Sequence, residues 1–255
     1  MLDITRRGAV LHVRLNRPEV RNAFNGELIE ALHRAVSSIE DGVRALVLSG
    51  EGAVFCAGAD LNWMRALAGW TREQHEADAE RLFDMLRALD TCAVPTVARV
   101  HGAALGGGMG LIAACDVVVA AEGTQLGFTE AKLGLLPAVI APFCVAKIGP
   151  GHARALFATA ERFDAARGAQ IGLVHRVVPD GQLDTAVEAV LSELLTSAPT
   201  ATAGARELVR RVAWQAPSDV RAYVAELNAG SRWSDEGREG MSAFLEKRRP
   251  RWAER

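Results

Sequence analysis

The chain has 255 residues, 49% of them apolar, and a formal charge of −2 at neutral pH. That length and composition provide for a substantial core and exclude a disordered chain or a minimal disulfide-stapled scaffold. With 29 basic residues against 31 acidic ones there is no global basic field for nucleic acid or an anionic membrane, so an anionic ligand has to be held locally.

The segment AVLHVRL, Ala9 to Leu15, alternates as a strand does. NRPEVRNAF then turns the chain, and Asn25 is placed to cap a helix whose apolar stripe is Leu28, Ile29, Leu32, Val36 and Ile39. RALVLSG reads as a second strand and GEGAVFCAGADL as a glycine-rich loop, with Asp60 placed to cap LNWMRAL. TREQ, Thr71 to Gln74, has capping-box spacing ahead of a helix bearing Leu82, Phe83, Leu86 and Leu89. TVARV and DVVVA read as short buried strands on either side of HGAALGGGMGL. The alternation predicts an α/β fold over residues 1–180. From Leu183 onward the periodicity is helical only, in AVEAVLSELL, ARELVRRVA, VRAYVAEL and MSAFLEKRR, which predicts an all-helical subdomain over 181–255. No apolar run reaches the roughly 20 residues needed to span a bilayer. Cys56, Cys92, Cys115 and Cys144 form no CxxC pair, and MLDITRRGAV has no apolar signal core, so reduced thiols and a soluble, cytoplasmic protein are expected.

Three consecutive glycines, Gly106 to Gly108, are costly to order and imply a close approach or an exposed backbone N–H. A dinucleotide fingerprint starting at Gly106 would need glycine at position 111, where Leu111 stands. Two readings remain: tight helix–strand packing, or an oxyanion hole in which amides at a helix start receive a carbonyl oxygen. The second needs another donor, and the small residues Ala57, Gly58 and Ala59 could provide one. Glu130 in FTEAKLG is either an acidic first-turn residue behind a capping Thr129 or a proton carrier. His101 reads as a packing residue at a strand end, and His152 and His175 have no metal-ligand spacing, so no metal is expected. Asp116 is placed to start a strand or bond nearby backbone, and Trp63 and Met64 either wall a pocket or fill core. No serine stands in GxSxG, so a nucleophilic triad is unsupported.

Five motifs in order, LNRPEVRNAF, AGADL, HGAALGGGMGL with ACD, FTEAKLGLLP and GLVHRVV, resemble the enoyl-CoA hydratase/isomerase (crotonase) superfamily. The resemblance implies a spiral of ββα units, a helical C-terminal subdomain serving a homotrimer or dimer of trimers, and an acyl-CoA substrate with no separate cofactor. It assigns two amide donors to Ala59 and Gly107 and a catalytic carboxylate to Glu130. It also puts CoA and acyl contacts at Ala57, Gly58, Asp60, Leu61, Gly106, Gly110, Leu135 and Pro137, and a phosphate contact at Arg21. Hydratases of this family generally carry a second glutamate where this chain has Gly110. GADLNWMR, LLPAVIAPFCVAKIG and TAERFDA resemble bacterial members that hydrate methylglutaconyl-CoA in leucine breakdown. The expectation is hydration of a short or branched enoyl-CoA. The alternatives are Δ3,Δ2-enoyl-CoA isomerisation by Glu130 alone and a catalytically impaired CoA-binding or assembly subunit. If Gly110 lies on the water side of the pocket, Gly110→Glu should add hydration.

Overall fold

Near-continuous apolar runs form the parallel strands of the main sheet, as expected where helices cover a sheet. The computed structural model describes residues 1–253. In chain order it contains β1 (Leu2–Arg7), β2 (Val10–Leu15), α1 (Gly26–Ser37), β3 (Ala45–Gly50), α2 (Leu61–Leu67), α3 (Arg72–Asp90), β4 (Thr96–Val100), β5 (Ala103–Leu105), α4 (Gly107–Ala114), β6 (Val117–Ala121) and β7 (Gln125–Gly127). There follow α5 (Ala141–Thr159, kinked at Gly149), β8 (Arg162–Asp164), α6 (Ala165–Gln170), β9 (Arg176–Val178), α7 (Leu183–Thr196), α8 (Pro199–Val212), α9 (Arg221–Trp233) and α10 (Asp235–Leu245).

The chain divides into two compact units, Met1–Glu188 and Ala189–Arg255. The first holds a six-stranded sheet of order β1-β2-β3-β4-β6-β9, parallel except for the β1–β2 hairpin. A three-stranded sheet, β5-β7-β8, stands beside it. On one side α1 buries Leu28, Ile29, Leu32 and Val36, and α3 buries Met85, Leu86 and Leu89. Burying each such side chain fully is worth about 2 kcal/mol. α4 is buried from Gly108 to Ala114 and carries no polar side chain, the mark of a helix inside a core. The second unit is helical throughout its regular structure; Trp214, Trp233, Phe244 and Leu245 are exposed there, each by more than three quarters.

The caps expected at Asn25, Asp60 and Thr71 are formed, Thr71 with its full capping box. Asp116 bonds the Thr96 amide and hydroxyl at 2.7 and 2.9 Å. Thr129 differs: it precedes the 3-10 turn Glu130–Leu133, but its side chain makes no cap bond. β1, β5, β7, β8 and β9 were not legible as strands; four of them are three residues long and exist through pairing with distant segments.

Candidate active site

Four loops that leave β2, β3, β5 and β7 at their C-terminal ends meet at one place, the usual location of ligands in open α/β sheets. The segments 56–60 and 103–108 run side by side. Cys56 N–H donates to Ala103 O at 3.1 Å, and Leu105 N–H donates to Cys56 O at 3.0 Å. A Cβ on Gly58, whose φ is +95°, would lie 3.0 Å from Leu105 O, and one on Gly108 would lie 2.7 Å from Cys56 O. Only glycine allows that approach of two backbones. Gly106 N–H donates to Gly127 O at 2.9 Å, tying the start of α4 to the end of β7 and bringing the following turn over it. Glu130 Oε1 consequently comes within 3.5 Å of where a Gly106 Cβ would stand.

The Ala59 and Gly107 N–H groups have no protein acceptor among the described residues. Gly107 opens α4, whose dipole places roughly half a positive charge at that end. Two unengaged amides on adjacent segments, one backed by a helix N-terminus, can receive an oxygen that gains negative charge.

Glu130 Oε2 is buried with no hydrogen-bond partner. Burial pushes its pKa above the ordinary glutamate value, partly offset by a bond from its own backbone N–H. A buried carboxylate oxygen without a partner is costly for stability and is open to exchange a proton with a bound molecule. Cys144, fully buried on α5, has its thiol pKa raised by burial and further by the charge of Glu130, so it supplies no ionised thiolate.

Asp60 is not free to touch substrate as expected. Its carboxylate receives Arg17 Nη2 at 2.8 Å and Asn62 N–H at 2.8 Å. Burial alone would raise its pKa, but these bonds hold it below the usual aspartate range. The Arg17–Asp60 pair, with side chains 14% and 6% exposed, therefore braces the loop rather than lining a pocket. Losing one partner of such a buried pair costs about 3–5 kcal/mol. Arg21 is exposed, and its carbonyl accepts from Ala57 N–H at 3.0 Å. Leu61 and Leu135 are exposed, Pro137 is buried, and Ala57 is half-buried.

Gly110 also departs from expectation. It is buried one turn beyond Gly106 in α4, and a Cβ there would meet Ile140 Cγ2 at 2.5 Å and Leu86 Cδ1 at 3.3 Å. Its α-carbon faces these apolar side chains, which leave no room for a carboxylate at this position. The sequence reading gave Arg17, Ile140 and Leu86 no role at the site, although Arg17 stands in LNRPEVRNAF, Ile140 in LLPAVIAPFCVAKIG and Leu86 in a helix stripe, because their partners here are distant in the chain.

His101 is held between Gly52 O at 2.8 Å and Arg99 Nη1 at 3.3 Å, and His175 Nδ1 accepts from Val118 N–H at 2.9 Å. Trp63 packs half-buried against the core. Among the described residues there is no cluster of metal-ligating side chains, and no helix is long and apolar enough to cross a membrane.

A family profile described as enoyl-CoA hydratase/isomerase matches residues 5–255. The crystal structure of an enoyl-CoA hydratase from Shewanella pealeana is similar at TM-score 0.94 and 36% identity, covering 98% of this chain and 95% of that one. The enoyl-CoA hydratase ACTT6 of Alternaria alternata is 33% identical over 82% of this chain and 69% of its own. A peroxisomal Δ3,5-Δ2,4-dienoyl-CoA isomerase of Arabidopsis thaliana is 29% identical over 99% and 96%. Matched end to end by that profile and by solved structures of the same fold, the chain belongs to the enoyl-CoA hydratase/isomerase family of the crotonase superfamily.

Proposed function

We propose that this enzyme hydrates a short or branched enoyl-CoA, of the methylglutaconyl-CoA type, using Glu130 as its one proton carrier. The observation that carries the reading is the desolvated Glu130 carboxylate, its Oε2 without a partner, close to the segments that carry two unengaged amides. The thioester carbonyl accepts from Ala59 and Gly107 N–H. Glu130 takes a proton from water as its oxygen bonds to Cβ, and the π electrons move onto the carbonyl oxygen as an enolate held by the amides. Glu130 then returns that proton to Cα and the enolate collapses, so one water has added across the double bond. The reaction needs no cofactor beyond the CoA of its substrate. Arg21 is assigned to a CoA phosphate, and Ala57, Leu61, Leu135 and Pro137 to CoA and acyl contacts. A cytoplasmic location and a homotrimer or its dimer, built through the helical segment 181–255, complete the proposal; light scattering should find no stable monomer.

One observation favours a second reading, proton shuttling between C2 and C4 of a 3-enoyl-CoA. Ile140 and Leu86 fill the space over Gly110, leaving no second carboxylate to orient water. The deciding assay adds crotonyl-CoA, 3-methylglutaconyl-CoA and a 3-enoyl-CoA in turn and follows the ultraviolet enoyl-thioester band. Hydration removes the band from the first two; isomerisation creates it from the third. No change with any of them would count against both readings and in favour of the impaired subunit.

The Gly110 contacts reverse the outcome first expected there. Gly110→Glu alone should lose stability by more than the usual 1–3 kcal/mol of overpacking, since it also buries a charge. Coupling it to Ile140→Gly removes the colliding side chain, and hydration should then rise relative to isomerisation. A stable Gly110→Glu single variant, seen by its melting temperature, would contradict the packing argument.

A further inference from the structure

Phe24 contacts both loops that carry the unengaged amides. Its N–H donates to Gly58 O at 2.7 Å, and its carbonyl accepts from Asp60 N–H at 2.8 Å. In a trans peptide the carbonyl and the next N–H point in opposite directions, so drawing the Gly58 carbonyl toward Phe24 turns the Ala59 N–H away from it. The side chain of the same residue reaches the other loop. A Cβ on Gly107 would lie 2.6 Å from Phe24 Cε2 and 2.7 Å from Cδ2, so the ring is seated against the Gly107 α-carbon.

The turn that presents Phe24 is itself tied down. Arg21 and Asn22 adopt left-handed φ values of 55° and 56°. The fully buried Asn22 side chain accepts from Arg17 N–H at 2.9 Å and donates to Glu51 O and Val54 O at 2.8 and 2.9 Å. Phe24 is 2% exposed and has no freedom to drift from either loop.

We infer that Phe24 is a positioning residue that keeps the two amide donors in register, its main chain orienting the Ala59 peptide and its ring seating Gly107. This rests on the reading of those amides as thioester donors. Donor pairs of this kind tolerate little error, because a misplacement of about 1 Å can cost about a hundredfold in rate. Both contacts are internal to the protein and act on where the amides point, so the loss is expected on turnover more than on binding.

The test uses the full chain with Phe24→Ala, Phe24→Leu, Gly107→Ala and the Phe24→Leu/Gly107→Ala double variant. Turnover and KM are measured on the active enoyl-CoA, together with the infrared carbonyl stretch of bound butyryl-CoA, which does not react. Phe24→Ala should lower kcat by about thirtyfold or more with KM within about threefold, and move the stretch back toward its solution value. Phe24→Leu should retain more of both. Gly107→Ala should show the same loss, and adding Phe24→Leu should recover at least about tenfold by making room for the new Cβ. If Phe24→Ala does not fold, Phe24→Leu and the Gly107 pair decide. Variants with an unchanged carbonyl stretch, a loss confined to KM, or additive effects in the double variant would overturn the inference. No shift of the stretch in the parent protein would instead remove the reading of the amides on which it rests.

Discussion

Glu130→Gln should lower kcat by at least about a hundredfold, the usual scale for a general acid or base, while CoA affinity and fold are retained. Glutamine keeps the shape of the side chain and removes its proton chemistry. The working form is the carboxylate, and burial raises its pKa above the ordinary glutamate value. The acid limb of kcat/KM should therefore lie above that of an ordinary glutamate, with the rate falling as pH drops through it. Stability has the opposite sign. A carboxyl whose folded pKa exceeds its unfolded one contributes stability below the unfolded value and loses it as pH rises through the folded one. At neutral pH Glu130→Gln should melt no lower than the parent. Loss of activity together with a large fall in melting temperature would make Glu130 a structural residue of the 3-10 turn.

Deleting one amide donor should be nearly as severe. Gly107 is the first residue of α4, where proline is well tolerated because its missing N–H has no helical partner. Any Cβ at this position meets the Phe24 ring, so the comparison belongs in the Phe24→Leu background. There, Gly107→Ala keeps the N–H and Gly107→Pro lacks it. The proline variant should be slower than the alanine variant by about a hundredfold or more, with similar circular dichroism and melting temperature. Equal rates would mean that the Gly107 N–H does not receive the substrate oxygen.

Much of the site was legible because its backbone parts leave chemical marks in the sequence. Glycine runs before a helix, small residues before Asp60 and an acidic residue behind Thr129 each had two readings, and the structure brings all three to one place. The parts that were not legible act through space. Phe24 looks like any core aromatic until its ring is found against Gly107, eighty-odd residues later in the chain. Ile140 stands in LLPAVIAPFCVAKIG with nothing to mark a role, yet its side chain decides what can stand at Gly110. The resemblance put Asp60 among the CoA contacts, whereas its carboxylate is engaged by Arg17, which only the folded turn brings near. The same holds for the fold. β2 announces itself by its alternation and β3, β4 and β6 by their apolar runs, whereas β5, β7 and β8 are too short to carry periodicity and are strands only because each finds a partner.

The most direct measurement is isotopic. Crotonyl-CoA or 3-methylglutaconyl-CoA is incubated with the enzyme in deuterated, oxygen-18-labelled water, and the product is examined by mass spectrometry and proton resonance. If Glu130 carries a water proton to Cα through an enolate held by the two amides, the product is a 3-hydroxyacyl-CoA with labelled oxygen at Cβ and deuterium at Cα, and Glu130→Gln forms it at least about a hundredfold more slowly. Recovery of enoyl-CoA alone with no labelled 3-hydroxyacyl-CoA from the parent enzyme, or labelling that proceeds at the same rate without the Glu130 carboxylate, would contradict the account.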